Sequence, residues 1–96
     1  MFFLILAADR PGMIERRLEH RQRHIDYWTG LPGAVKIAGA MLEDGSPKGS
    51  AFLIEAEDEA AARRLLADDP FSTEKIFGDD IRIEAIRPAI GEWKPA

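Results

Sequence analysis

The chain has 96 residues, a net charge of −4, a pI near 5.1, 46% hydrophobic and 31% charged residues. That size supports one two-layered core with no room for a second, and that composition excludes both a disordered and a membrane-embedded chain. The acidic balance offers no electrostatic footprint for nucleic acid, and the absence of cysteine excludes disulfides, thiolate metal sites and a thiol nucleophile.

The opening run Phe2 to Ala8, bounded by Asp9, Pro11 and Gly12, predicts a central strand covered on both faces. It is short, lacks a basic flank and runs into Asp9-Arg10, so it reads as a buried strand and not a signal peptide. A cytoplasmic protein with no membrane partner is expected. From about Met13 to Leu31 the residues Ile14, Leu18, Ile25 and Trp28 fall in one arc, predicting a helix with that stripe toward the core. Gly30, Pro32 and Gly33 end it. Val35 to Leu42 predicts a strand with a bulge or close backbone approach at Gly39. Asp44 to Gly49 reads as a turn and Ser50 to Ala56 as the returning strand of a hairpin. Asp58 is a good N-cap for a second helix, Glu59 to Ala67, which stops at Pro70. After a loop through Phe71, Ser72 and Phe77, Asp80 to Arg87 alternates as a half-exposed strand does, and Pro88 ends it. The tail with Trp93 reads as an arm that docks on the domain or on a second subunit.

The order β-α-β-β-α-β predicts a ferredoxin-like α+β fold, an antiparallel sheet with two helices on one face. One domain is expected over residues 1–96, with a core of 2–88 and a C-terminal arm of 89–96. The sheet's other face needs a cover, and a homodimer pairing two sheets is the economical one.

Angular reading of the first helix puts Arg21 inside the apolar stripe, with Arg17 and His24 together along its flank and His20 toward solvent. Three donors along one helix edge call for an anion. His20 and His24 have a metal-chelating i,i+4 spacing, but with no third ligand evident neither a metal nor another cofactor is expected. Asp69, before Pro70, is biased toward an extended backbone. Paired to His24, it would fix the imidazole tautomer and leave the other nitrogen free to move a proton. From spacing alone, a salt bridge or a helix stop beside a surface histidine is the better reading of the same residues. Ser50, Asp9 and Gly39 are further candidates for contact with a ligand, or for ordinary turn and bulge roles. No nucleophile elbow, phosphate-binding glycine loop or dinucleotide fingerprint is present.

Several of these pieces together resemble the YCII-like (YciI-related) family. They are Ala7-Ala8-Asp9, the helix Glu15-Arg16-Arg17-Leu18 with Arg21 and His24, the Gly39 strand, Lys48-Gly49-Ser50, and Glu59-Ala60-Ala61 leading to Asp69-Pro70-Phe71. The resemblance implies a dimeric α+β barrel-type assembly with a ligand-sized cleft. It also implies a His-Asp active site at His24 and Asp69, with Arg17, Arg21 and Ser50 as neighbours. Some members are similar to dehydrochlorinating or isomerising enzymes that act on ring-derived acids. Two departures lie near the cleft: Gly39-Ala40-Met41 stands where Gly-Pro is common, and the hairpin Glu43 to Lys48 is short. The leading expectation is a lyase or isomerase acting on a small organic acid held by Arg17 or Arg21. The alternatives are a non-catalytic dimeric module that binds an anionic metabolite and a purely structural dimer.

Overall fold

In a computed structural model, residues 1–95 are described. The chain runs β1 (Phe2–Asp9), α1 (Ile14–Thr29), β2 (Val35–Glu43), β3 (Ser46–Glu55), α2 (Glu59–Ala67), α3 (Pro70–Thr73) and β4 (Phe77–Ile86). The strands form one antiparallel sheet in the order β2-β3-β1-β4, the ferredoxin-like arrangement expected from the element order.

Alternation along β1 sends Phe3, Ile5 and Ala7 to the helix side, where they meet Phe52 and Ile54 of β3. Trp28 of α1, Ala62 and Leu66 of α2, and Phe71 of α3 close the same core. Asp58 caps α2 by accepting from the Ala61 N–H at 2.8 Å. The opposite face carries Leu4, 38% exposed, opposite Leu53, which in turn faces Ile37, 63% exposed. β1 is therefore interior to the sheet but, within one chain, covered on one face only. The arm brings Trp93 beside Leu53 and Ile86 on that open face, with Ala96 outside the described residues.

Other readings need correction. The hairpin turns at Asp44 and Gly45, both with positive φ, and β3 already starts at Ser46. Residues 70–73 form a helical turn where a loop was expected, and β4 starts at Phe77 instead of Asp80. Gly39 pairs in register with Ala51; the irregularities of β2 fall between Val35 and Ile37 and between Met41 and Leu42.

The close approach belongs to Gly49. A Cβ there would overlap the Ala7 carbonyl oxygen and lie 2.7 Å from Met41 Cε, whereas one on Gly39 meets nothing within 4 Å. Gly49→Ala is expected to cost about 1–3 kcal/mol in urea unfolding, from overpacking. Gly39→Ala is expected to stay within about 0.5 kcal/mol of wild type. The opposite ranking would contradict the strand register.

The α1 stripe is rotated from its expected position. Trp28 is buried as expected and Ile25 half-buried, but Ile14 and Leu18 are 49% and 69% exposed, and Arg17 joins Trp28 on the buried edge with His24 and Tyr27 beside them. At about 100° per residue, Met13, Arg17, His20, His24, Trp28 and Leu31 share one narrow arc, with Ile14, Leu18, Arg21 and Ile25 on its flank. Arg21 is accordingly exposed.

Tyr27 ties α1 to α2 by donating to the Leu65 carbonyl oxygen at 2.6 Å. Burial first, then the Asp68 and Asp69 charges, raise its pKa from 10.0 to about 12. The folded chain thus holds this proton more tightly than the unfolded chain. The resulting stability is complete below about pH 10 and is lost as pH rises through about 12. As the single tyrosine, Tyr27 alone reports in tyrosinate absorbance. Urea titrations across that window should show wild type losing more stability than Tyr27→Phe; equal losses would contradict the assignment.

Candidate functional site

Asp69 lies at the junction of α2 and α3, with φ −62° and ψ 132°, the extended backbone expected before proline. It is the N-cap of α3, with Pro70 in the first turn. Its carboxylate therefore meets the N–H end of a new helical turn and not only the carbonyl end of α2. The side chain is 0% exposed. One oxygen accepts from the Phe71 N–H at 2.9 Å and the other from Trp28 Nε1–H at 2.8 Å. Both oxygens lie 2.8 Å from His24 Nδ1. A carboxylate that accepts on both oxygens requires the proton on Nδ1, so His24 donates there, and in the neutral imidazole Nε2 is the nitrogen that can take a proton.

The His24 ring is fixed a second way. It stacks on Phe71 with centroids 4.0 Å apart and planes 5° apart. Among the described residues Nε2 has no partner and no buried side-chain nitrogen or oxygen is unpartnered, so solvent reaches it.

Arg17 is locked in place from three directions. Its Nε donates to Asp9 Oδ2 at 2.7 Å, its Nη2 donates to Ser50 Oγ, and its guanidinium carbon sits 4.6 Å from the Phe71 ring centroid. This explains how a helix turns an arginine inward: β1 supplies the anion and β3 the hydroxyl. Among the described residues Arg17 Nη1 has no partner, and Ser50, having accepted from Arg17, keeps its own O–H free to donate. Asp9 thus serves as the counter-ion of Arg17, chiefly through Oδ2.

Arg17, Arg21, His24, Ser50 and Phe71 line one cavity of about 320 Å³, walled on the β2 side by Ala38, Gly39 and Ala40. Arg21 sits at its mouth with no carboxylate within 4 Å among the described residues. Of the residues singled out in the sequence, Arg17, Arg21, His24, Ser50 and Gly39 meet there, while Asp9 and Asp69 support it from behind.

His20 does not point freely into solvent, as its angular position suggested. Its side chain is 13% exposed, its Nδ1 accepts from Arg23 at 2.9 Å, and its Nε2 lies 3.6 Å from Glu74. No group of three or more His, Asp or Glu is placed to hold a metal among the described residues. Two site residues escaped the sequence reading in their roles. Trp28 was assigned only to packing, although it stands one turn from His24 on the same edge. Phe71 was noted only as the aromatic after Pro70.

Fold and cavity together define a ferredoxin-like α+β protein with one histidine-bearing, ligand-sized cleft. The chain belongs to the YCII-related family, whose domain model matches residues 1–85. It is similar to an uncharacterized protein of Haemophilus influenzae, 27% identical over 90 residues, covering 84% of this chain and 92% of that one. Among solved structures it is similar to 5-chloro-2-hydroxyhydroquinone dehydrochlorinase (TftG) from Burkholderia phenoliruptrix, in complex with 2,5-dihydroxybenzoquinone. The TM-score is 0.85 at 26% identity, covering 93% of this chain and 96% of that one. A protein of Bacteroides thetaiotaomicron provisionally assigned as an antibiotic biosynthesis monooxygenase shares the fold, with a TM-score of 0.61 at 20% identity, over 100% and 95% of the two chains.

Proposed function

We propose that the protein is a small enzyme of the lyase or isomerase type in which His24 moves a proton on a small, ring-derived organic acid. The observation that carries this reading is a cavity-lining imidazole whose Nδ1 is tied to a fully buried carboxylate while its Nε2 has no partner among the described residues. Such an imidazole is a positioned general base: the carboxylate holds the tautomer and stabilises the imidazolium that forms when Nε2 takes a proton. Arg17 Nη1 and the Ser50 hydroxyl are two oriented donors for the oxygen on which negative charge develops. Arg21, whose charge no carboxylate answers among the described residues, attracts the anion at the mouth.

In an elimination, the proton passes from substrate to Nε2, its bonding electrons stay on the substrate, and the leaving anion departs with its own pair. In an isomerisation the same nitrogen returns the proton at another atom. Similarity to a dehydrochlorinase solved with a dihydroxybenzoquinone supports a flat, acidic ring as the substrate class. The experiment is a turnover screen of halogenated and unhalogenated hydroxyquinols and related ring acids, with binding followed in parallel. Turnover of one of them is expected. Tight binding of an anion with no turnover of any of them would replace the enzyme by an anion-binding module.

The active form in this reading is a homodimer. Leu4, Ile37 and Ile86 on the open sheet face are 38–63% exposed in one chain, and covering them removes apolar surface from water. Sedimentation at micromolar concentration should give twice the chain mass of 10.7 kDa. Leu4→Glu should shift it toward monomer, and a monomeric wild type would contradict the assembly.

A further inference from the structure

A second cavity, of about 370 Å³, lies between α2 and β4 and shares no lining residue with the first. Its floor is apolar. Leu66 and Phe77 are 4% and 5% exposed, and Ile81 and Ile83 come from the helix side of β4, opposite Ala7 and Ile5. Its rim carries Arg10, Arg63 and Lys75 against one carboxylate, Asp79. Arg63 is answered by Glu59 at 3.1 Å, but neither Arg10 nor Lys75 has a carboxylate within 4 Å among the described residues.

Both cations are held over the cavity by local backbone features. Lys75 closes α3 in the left-handed region, φ 62°, with its N–H donating to the Ser72 carbonyl oxygen at 3.1 Å. That conformation is strained for a residue with a side chain and would be easier for glycine or asparagine. Gly78 lets the stem of Arg10 cross β4, since a Cβ there would lie 3.3 Å from Arg10 Cγ. The pairing of β1 with β4 shifts register between Ala7 and Asp9, at this same level of the sheet. In a chain of net charge −4, two cations without counter-ions above an apolar floor form an address for an anion with an apolar body.

We infer that this cavity is a second binding site, for a small carboxylate with an apolar body. Arg10 and Lys75 hold the carboxylate, and Leu66, Phe77, Ile81 and Ile83 take the apolar part. The site is independent of the chemistry proposed at His24. Its test is titration of the full ¹⁵N-labelled chain with benzoate and with uncharged benzamide, in wild type and in Arg10→Gln/Lys75→Asn. Asparagine tolerates the left-handed backbone at 75, so the double variant loses the charges without losing the turn.

Amide resonances of Lys75, Gly78 and Ile81 report this site, while those of Gly39 and Ser50 report the first cavity separately. Saturable benzoate shifts at Lys75 and Gly78 are expected. They should weaken by about tenfold or more with benzamide and in the double variant, as loss of charge-assisted hydrogen bonds requires. Shifts there that never saturate, or a dissociation constant unchanged in the double variant, would overturn the inference whatever happens at Gly39 and Ser50.

Discussion

Replacing Asp69 with alanine is expected to destabilise the protein by about 3–5 kcal/mol, because several buried donors share this one acceptor group. Three donors lose their acceptor at once: His24 Nδ1, Trp28 Nε1 and the Phe71 backbone N–H. Each unpaired buried donor costs about 1–3 kcal/mol, and the α3 cap goes with them. Against a typical domain stability of about 5–15 kcal/mol, this is a large fraction of the total. Asp69→Asn should cost less, about 2 kcal/mol, because it keeps one acceptor oxygen while turning an amide N–H toward a donor. Urea unfolding at pH 7 measures both. A loss under about 1 kcal/mol for the alanine variant would mean that the three donors find other partners, and the pocket behind His24 would need redrawing.

The second large effect is on chemistry. His24→Asn is expected to lower turnover by about 10²–10⁴-fold, the usual range for removing a general base, while leaving the fold in place. Asparagine places an amide N–H near the position of Nδ1, so Asp69 keeps a donor, but nothing replaces Nε2 as a base. Stability and rate therefore separate in this variant, whereas in Asp69→Ala they fall together. Turnover within about threefold of wild type would remove His24 from the proton-transfer step.

Much of the architecture was legible from local signals. The alternation of Ile81 and Ile83 with Arg82 and Glu84, the cap at Asp58, and the punctuation at Pro11, Gly30 and Asp44-Gly45 each report on nearby residues alone. What failed did so for long-range reasons. Arg17 is buried because Asp9 and Ser50, 8 and 33 residues away, satisfy it. A hydropathy stripe counts it as solvent-facing and so turns α1 toward Ile14 and Leu18. Asp69-Pro70-Phe71 contains a helix cap and a first-turn proline, but a four-residue helix is too short to show a period. Spacing alone favours a salt bridge or a helix stop beside a surface histidine over a reactive one. The family resemblance pointed to His24 and Asp69, and the structure places them 2.8 Å apart across 45 residues of sequence.

The central claim is the state of one imidazole. Long-range ¹H–¹⁵N correlation of the His24 ring at neutral pH, before and after adding 2,5-dihydroxybenzoquinone, reads it directly. The predicted result is a proton on Nδ1 and none on Nε2 in the free protein, with the Nε2 resonance moving saturably as the acid binds. A proton on Nε2 in the free protein, or an Nε2 resonance that ignores saturating acid, would contradict a base poised in this cavity.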